Sequence, residues 1–235
     1  AAEMTRLPQI RIAVSELVSK LGLSREAVSY AISGQSVFTR FVKLPSLESD
    51  DIEQLVAFEA QQHVPFPINE VVWDWQLLNS EAGQQEVVLV AIKADALDDI
   101  NDCVTDAHLT TGLVDASPMA LANAFIYNYS DLNEPALMID IGARTSNLVY
   151  LDGNKVFTRT IAIGGSTLTS AIAKEYNVPF IEAESQKCTN GLVALDTRHT
   201  SQLDELTAAL GSCIRTALNR MPAEIARTTN FFRSQ

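Results

Sequence analysis

The chain has 235 residues, 47% of them hydrophobic and 20% charged, enough to bury a sizeable core in one large domain or two lobes. Its 29 acidic and 17 basic residues leave a net charge of −12, which argues against nucleic acid or an anionic membrane as a direct, charge-driven partner. No apolar run approaches the roughly 20 residues that span a bilayer. The three cysteines, Cys103, Cys188 and Cys213, have no metal or disulfide spacing and read as reduced, buried thiols.

Leu7, Ile10, Val14, Leu17, Val18 and Leu21 recur at helical spacing, and Gly22 stops that helix. Strands are expected over Ala27–Ile32 and Ser36–Leu44, with Pro45 ending the second. Asp50 and Asp51 favour the start of a helix that turns Ile52, Leu55, Val56 and Phe58 inward and ends before Pro65-Phe66-Pro67. Two strands follow, Glu70–Leu78 and Glu86–Lys93, joined by a polar loop Asn79–Gln85, and then a helix from Asp95 to about His108. Residues 46–108 thus read as one compact helix–strand–strand–helix unit. Leu113–Asp115 is a short strand, and Ser117 caps a helix through Tyr129 with Pro118 in its first turn.

The densest stretch is Leu137–Ser170. Ala136–Ile139 reads as a strand buried on both faces and ends in Asp140. A tight turn at Gly142-Ala143 follows, then the hydroxyls of Thr145 and Ser146. Asn147–Leu151 and Lys155–Ile163 form a hairpin around Asp152-Gly153, and Gly164-Gly165 leads into a helix, Ser166–Tyr176, with Ser166 as N-cap. Pro179 opens a segment holding Ile181–Lys187, Thr189–Thr200 reads as loop, and a helical stretch runs from about Ser201 with a break near Pro222.

Several groups here suit a phosphate. Asp140 can hold Mg²⁺, directly or through water, and Gly142 and Ala143 let amides approach phosphate oxygens. Gly164-Gly165 at a helix start is an anion site or simple punctuation. Glu184 and Lys187 share a helix face and bracket a ribose and phosphate, or form a surface ion pair. His63, His108 and His199 stand with no nucleophile or ligand partner. Val64–Pro67 with Trp73 and Trp75 forms either a partner-binding edge or the core of the small unit.

Taken in order, Gln35–Arg40 with Leu44-Pro45, Phe58–Val71, Asp140–Thr145, Phe157–Thr169, Ala183–Lys187 and Glu224–Phe232 make the chain resemble the type IV pilus assembly protein PilM family, FtsA-related members of the actin-like ATPase superfamily. The resemblance implies an α/β, ribonuclease H-like two-lobe fold with a small inserted subdomain. It assigns 1–45 and 111–134 to the first-lobe core, 46–110 to the insert, 135–175 to the second-lobe core and 176–235 to its cap. It implies ATP with Mg²⁺ as cofactor, bound through Asp140, Gly142, Ala143, Arg144, Thr145, Ser146, Gly164, Gly165, Glu184 and Lys187, with the metal at Asp140.

The implied role is a bacterial cytoplasmic scaffold of type IV pilus assembly that docks a PilN-like cytoplasmic tail peptide. It meets other inner-membrane and motor proteins of the pilus, reaches the membrane only through partners, and leaves a homo-oligomer open. No catalytic base is identifiable, so any ATPase activity is slow. The alternatives are an FtsA-like filament protein and a small-molecule kinase of the superfamily. The family's first phosphate hairpin and its adenosine loop have no counterpart here, so this chain by itself is expected to hold ATP poorly. Arg144 stands where a small residue is usual, and it either reaches the phosphate or points to solvent.

Overall fold

A computed structural model describes residues 6–45, 49–81, 83–132, 134–153, 155–193 and 203–234. The chain divides into two units, residues 1–135 with 151–156, and residues 136–150 with 157–235.

In the first unit, α1 (Arg6–Leu21) ends at Gly22, whose φ of +67° is open to glycine. The helix lies against α3 (Ala94–Asp106), with Arg11 Nε 3.0 Å from Asp106. β1 (Ala27–Ile32) pairs in parallel with β5 (Thr110–Ala116), which leads into α4 (Ser117–Asn128). Everything from Ser33 to Leu109 is therefore inserted between two neighbouring parallel strands. That insertion builds its own antiparallel sheet, ordered β2 (Phe38–Pro45), β4 (Gln84–Lys93), β3 (Val71–Glu81).

The insertion's core lies under α2 (Ser49–His63), where Ile52, Val56 and Ala60 form one i, i+4 stripe. It packs with Val64 on Leu44, Val87, Leu89 and Ala91. Phe58, two residues off that stripe, points outward and is 55% exposed, against the expectation that it faces inward. Trp73 and Trp75 pack on this core, so the tryptophan face serves the small sheet. The expected loop Asn79–Gln85 is mostly strand. β3 runs to Glu81 and β4 starts at Gln84, with Gly83 turning at φ +91°.

The second unit holds most of a sheet ordered β6 (Ala136–Ile141), β7 (Ser146–Asp152), β8 (Lys155–Ile161), followed, among the described residues, by four helices. These are α5 (Gly165–Tyr176), α6 (Phe180–Asn190), α7 (Glu205–Leu218) and α8 (Arg220–Arg233). The expected loop and helix start around 194–202 lie outside the described residues. The expected break falls at Asn219, which leaves Pro222 in the first turn of α8, where its missing N–H costs nothing.

Burial in this sheet corrects the sequence expectation. β6 alternates, with Leu137, Ile139 and Ile141 exposed along one side, whereas β7 is buried from Ser146 to Leu151. β7 is the central strand and β6 an edge, a distinction that an apolar run alone does not carry. α8 closes over the hairpin. Tyr150 Oη meets Thr229 Oγ1 at 2.9 Å, Arg159 pairs with Glu224 at 3.1 Å, and Phe232 stacks near Tyr150. The sequence E-I-A-R-T-T-N-F-F is therefore a packing surface.

Candidate functional site

All ten expected site residues belong to the second unit. They surround the turn between β6 and β7. Gly142 donates its amide to the Thr145 carbonyl at 2.9 Å, and a Cβ at Gly142 would sit 2.9 Å from that same oxygen. Gly164 is packed harder: a Cβ there would lie 2.6 Å from the Gly142 oxygen. Only glycine lets the start of α5 lie against the turn.

Hydrogen bonds hold that approach. The Gly165 amide donates to the Gly142 carbonyl at 3.0 Å, and the Ser166 amide to the Ala143 carbonyl at 2.7 Å. Gly164 donates to Thr167 Oγ1 at 3.3 Å, while the Thr167 amide donates to the Gly164 carbonyl at 2.9 Å. A helix start binds anions through amides that lack a partner. Here the amides from Gly164 to Thr167 all have protein acceptors, so the glycine pair takes a packing role. Ser166 is within the first turn, and Gly164 occupies the N-cap position that the sequence assigns to Ser166.

Ser146 is also drawn inward. Its hydroxyl donates to the Ile163 carbonyl at 2.7 Å and the residue is fully buried. The structure thereby takes Ser146 out of the outward-facing donor set. The turn's unpaired donors are different ones: among the described residues, no backbone acceptor takes the amides of Ala143 or Arg144. Arg144 is exposed and has no hydrogen-bond or ion-pair partner among the described residues.

Asp140, next to last in β6, is half-buried. Its Oδ2 accepts from Asn147 Nδ2 at 2.9 Å, and Asn147 Oδ1 accepts from Thr160 Oγ1 at 2.8 Å. This relay fixes the carboxylate's orientation. The sequence reading missed Asn147, although a polar amide opening an otherwise apolar strand must find partners once buried.

Glu184 and Lys187 come together on α6, facing α5. Lys187 Nζ donates to both Glu184 oxygens at 2.8 and 2.7 Å, to Thr169 Oγ1 at 3.0 Å and to the Gly165 carbonyl at 3.3 Å. Thr169 also donates to Glu184 Oε2. The Lys187 hydrogen bond, then that of Thr169, holds the Glu184 carboxyl below the usual carboxylate range. Lys187 thus clamps α6 to the start of α5. Thr169, one turn into α5 and fully buried, is the linking residue that the sequence reading overlooked.

The remaining candidates lie apart. His63 Nε2 is 3.1 Å from Glu59 and 3.5 Å from Arg40 Nη2, and His108 takes a left-handed conformation in the turn after α3. His199 lies outside the described residues. Cys103 is buried, but Cys188 is exposed, contrary to the expectation of buried thiols.

The family model of the type IV pilus assembly protein PilM matches residues 2–216. The chain belongs to the PilM family. Its fold is α/β. A chain of the PilM-PilN type IV pilus biogenesis complex superposes with a TM-score of 0.79 at 26% identity, over 97% of this chain and 64% of that one. The PilM-family chain thus spans about two thirds of that relative's length. The ethanolamine utilization protein EutJ from Carboxydothermus hydrogenoformans has a TM-score of 0.41 at 21% identity, over 57% of this chain and 42% of that one. MreB 5 of Spiroplasma citri bound to AMPPNP has a TM-score of 0.43 at 16% identity, over 58% and 47%. At such scores neither likeness carries weight.

Among the described residues, the amides of Ala143 and Arg144 and the Arg144 guanidinium are the donors of this turn that no protein acceptor takes. Among the described residues no three His, Cys, Asp or Glu gather to hold a metal. A cation at Asp140 would rest on one carboxylate, phosphate oxygens and water, the coordination that Mg²⁺ favours. No helix among the described residues is long and apolar enough to cross a membrane.

Proposed function

We propose that this chain is an ATP-binding cytoplasmic scaffold of type IV pilus assembly that docks the cytoplasmic tail of a PilN-like inner-membrane protein. The family match over residues 2–216, together with the TM-score of 0.79 to a chain of a PilM-PilN complex, carries this reading. Residues 1–45 and 111–134 would form the first-lobe core, 46–110 the insert, 135–175 the second-lobe core and 176–235 the cap. β2 (Phe38–Pro45), which these bounds give to the first-lobe core, pairs with β4 of the insert.

The nucleotide's phosphates would rest on the Gly142–Thr145 turn, with Asp140 holding Mg²⁺ through water. The metal would supply charge neutralisation between phosphate oxygens. Glu184, its side chain 42% exposed, would face the ribose, while Lys187 orients it. Nucleotide would then bias the lobes toward one arrangement and change the affinity for the tail, a population shift that needs no rapid turnover. The protein would reach the inner membrane through its partners, in keeping with its net charge of −12.

A pull-down from solubilised membranes with the tagged full-length gene product tests the partner. Recovery of the PilN-like protein, lost when its cytoplasmic tail is deleted, is the expected result. Recovery independent of the tail would contradict tail docking.

A further inference from the structure

The charges around the turn are unevenly committed. Lys187, whose ammonium would lie 3.3 Å from a Cβ on Gly165, is spent on Glu184, Thr169 and the Gly165 carbonyl. Arg159 is spent on Glu224, 3.1 Å away. The amides at the start of α5 are spent on Gly142, Ala143 and Thr167. Asp140 adds a negative charge at the end of β6. A polyanion arriving here therefore meets neither a free helix start nor a free lysine. It meets the amides of Ala143 and Arg144, and the one basic side chain carried by the turn itself.

We propose that Arg144 is the phosphate-neutralising group of this turn. Its guanidinium grips a phosphate seated on the Ala143 and Arg144 amides, doing part of the work of a divalent cation. The inference deepens the nucleotide reading above and rests on it for the nucleoside. A planar guanidinium offers paired N–H donors to phosphate oxygens, and on an exposed turn it pays no cost for leaving another partner. The carboxylate beside the turn, Asp140, is already tied to Asn147, and Glu184 to Lys187, so a cation carried by the turn adds charge that neither group supplies.

The test titrates the full-length gene product, as wild type, R144A, R144K and K187M, with ATP and with inorganic tripolyphosphate. Each titration is run with Mg²⁺ and with EDTA, and melting temperatures are measured alongside. R144A should weaken both ligands about tenfold or more, with R144K recovering part of the loss. Its melting temperature should stay at the wild-type value, because Arg144 holds no partner. K187M should instead lower the melting temperature, because Lys187 ties α6 to the start of α5. Removing Mg²⁺ should cost R144A a larger factor than wild type, and equal factors would overturn the metal-sparing role.

Wild-type affinity in R144A would overturn the proposal and leave the nucleotide reading standing. Arg144-dependent binding of tripolyphosphate without ATP binding would keep the proposal and sink the nucleotide reading. Binding of neither ligand by wild type would overturn both.

Discussion

At the scale of single residues, the site separates into groups that face a ligand and groups that hold them in place. Ser146, Gly164, Gly165 and Lys187 are consumed by internal contacts, and Asn147, Thr160 and Thr169 do the same work unannounced. The clamp around Glu184 has a pH signature. Its carboxyl, held below the usual range by Lys187 and Thr169, contributes stability above the unfolded value of about 4.3, and loses it as pH falls through the lower folded value. Thermal melts from about pH 6 to about pH 3 should therefore show a steeper acid loss in wild type than in E184Q, with the divergence below about pH 4. Parallel curves would show that the clamp adds nothing to stability. The turn glycines and the Glu184/Lys187 spacing were legible in the sequence. That the first amides of α5 are taken was not, because docking of Gly165 and Ser166 on Gly142 and Ala143 is a backbone contact, marked only by the glycine at 164.

At the scale of elements, the sequence placed most helices and strands correctly and misjudged which faces they bury. A continuous apolar run at 136–139 and an Asn-led run at 147–151 invite the wrong assignment of edge and centre. Sheet order, set by pairing across the hairpin, decides it. The loop expected at Asn79–Gln85 fails for a similar reason: the ladder Ser80↔Gln85 and Glu81↔Gln84 extends polar residues as strand. Phe58 shows that a helix stripe is set by i, i+4 steps from Ile52, and not by every apolar residue in the window. The contrast between strands can be measured. Leu148→Ala in β7, fully buried, should destabilise the chain by about 2–5 kcal/mol in urea unfolding. Ile141→Ala in β6, 59% exposed, should cost less than about 1 kcal/mol. A loss at Ile141 as large as that at Leu148 would mean that the exposed side of β6 is covered in solution.

At the scale of the whole molecule, the chain's membership in the PilM family rests on a family match that runs over residues 2–216, a span that no local motif covers. The insertion between β1 and β5 gives the first unit a separate small sheet, with its own core under α2. The second unit carries the turn with its open amides. A scaffold that couples nucleotide to partner docking must make its partner's affinity depend on what that turn holds, typically by a factor of about 5 or more. The most direct measurement is fluorescence anisotropy of a labelled cytoplasmic-tail peptide from the PilN-like protein, titrated with the full-length gene product with and without ATP and Mg²⁺. We expect saturable binding whose affinity differs between the two conditions in wild type and far less in R144A. No binding of the tail in either condition would contradict the scaffold role outright.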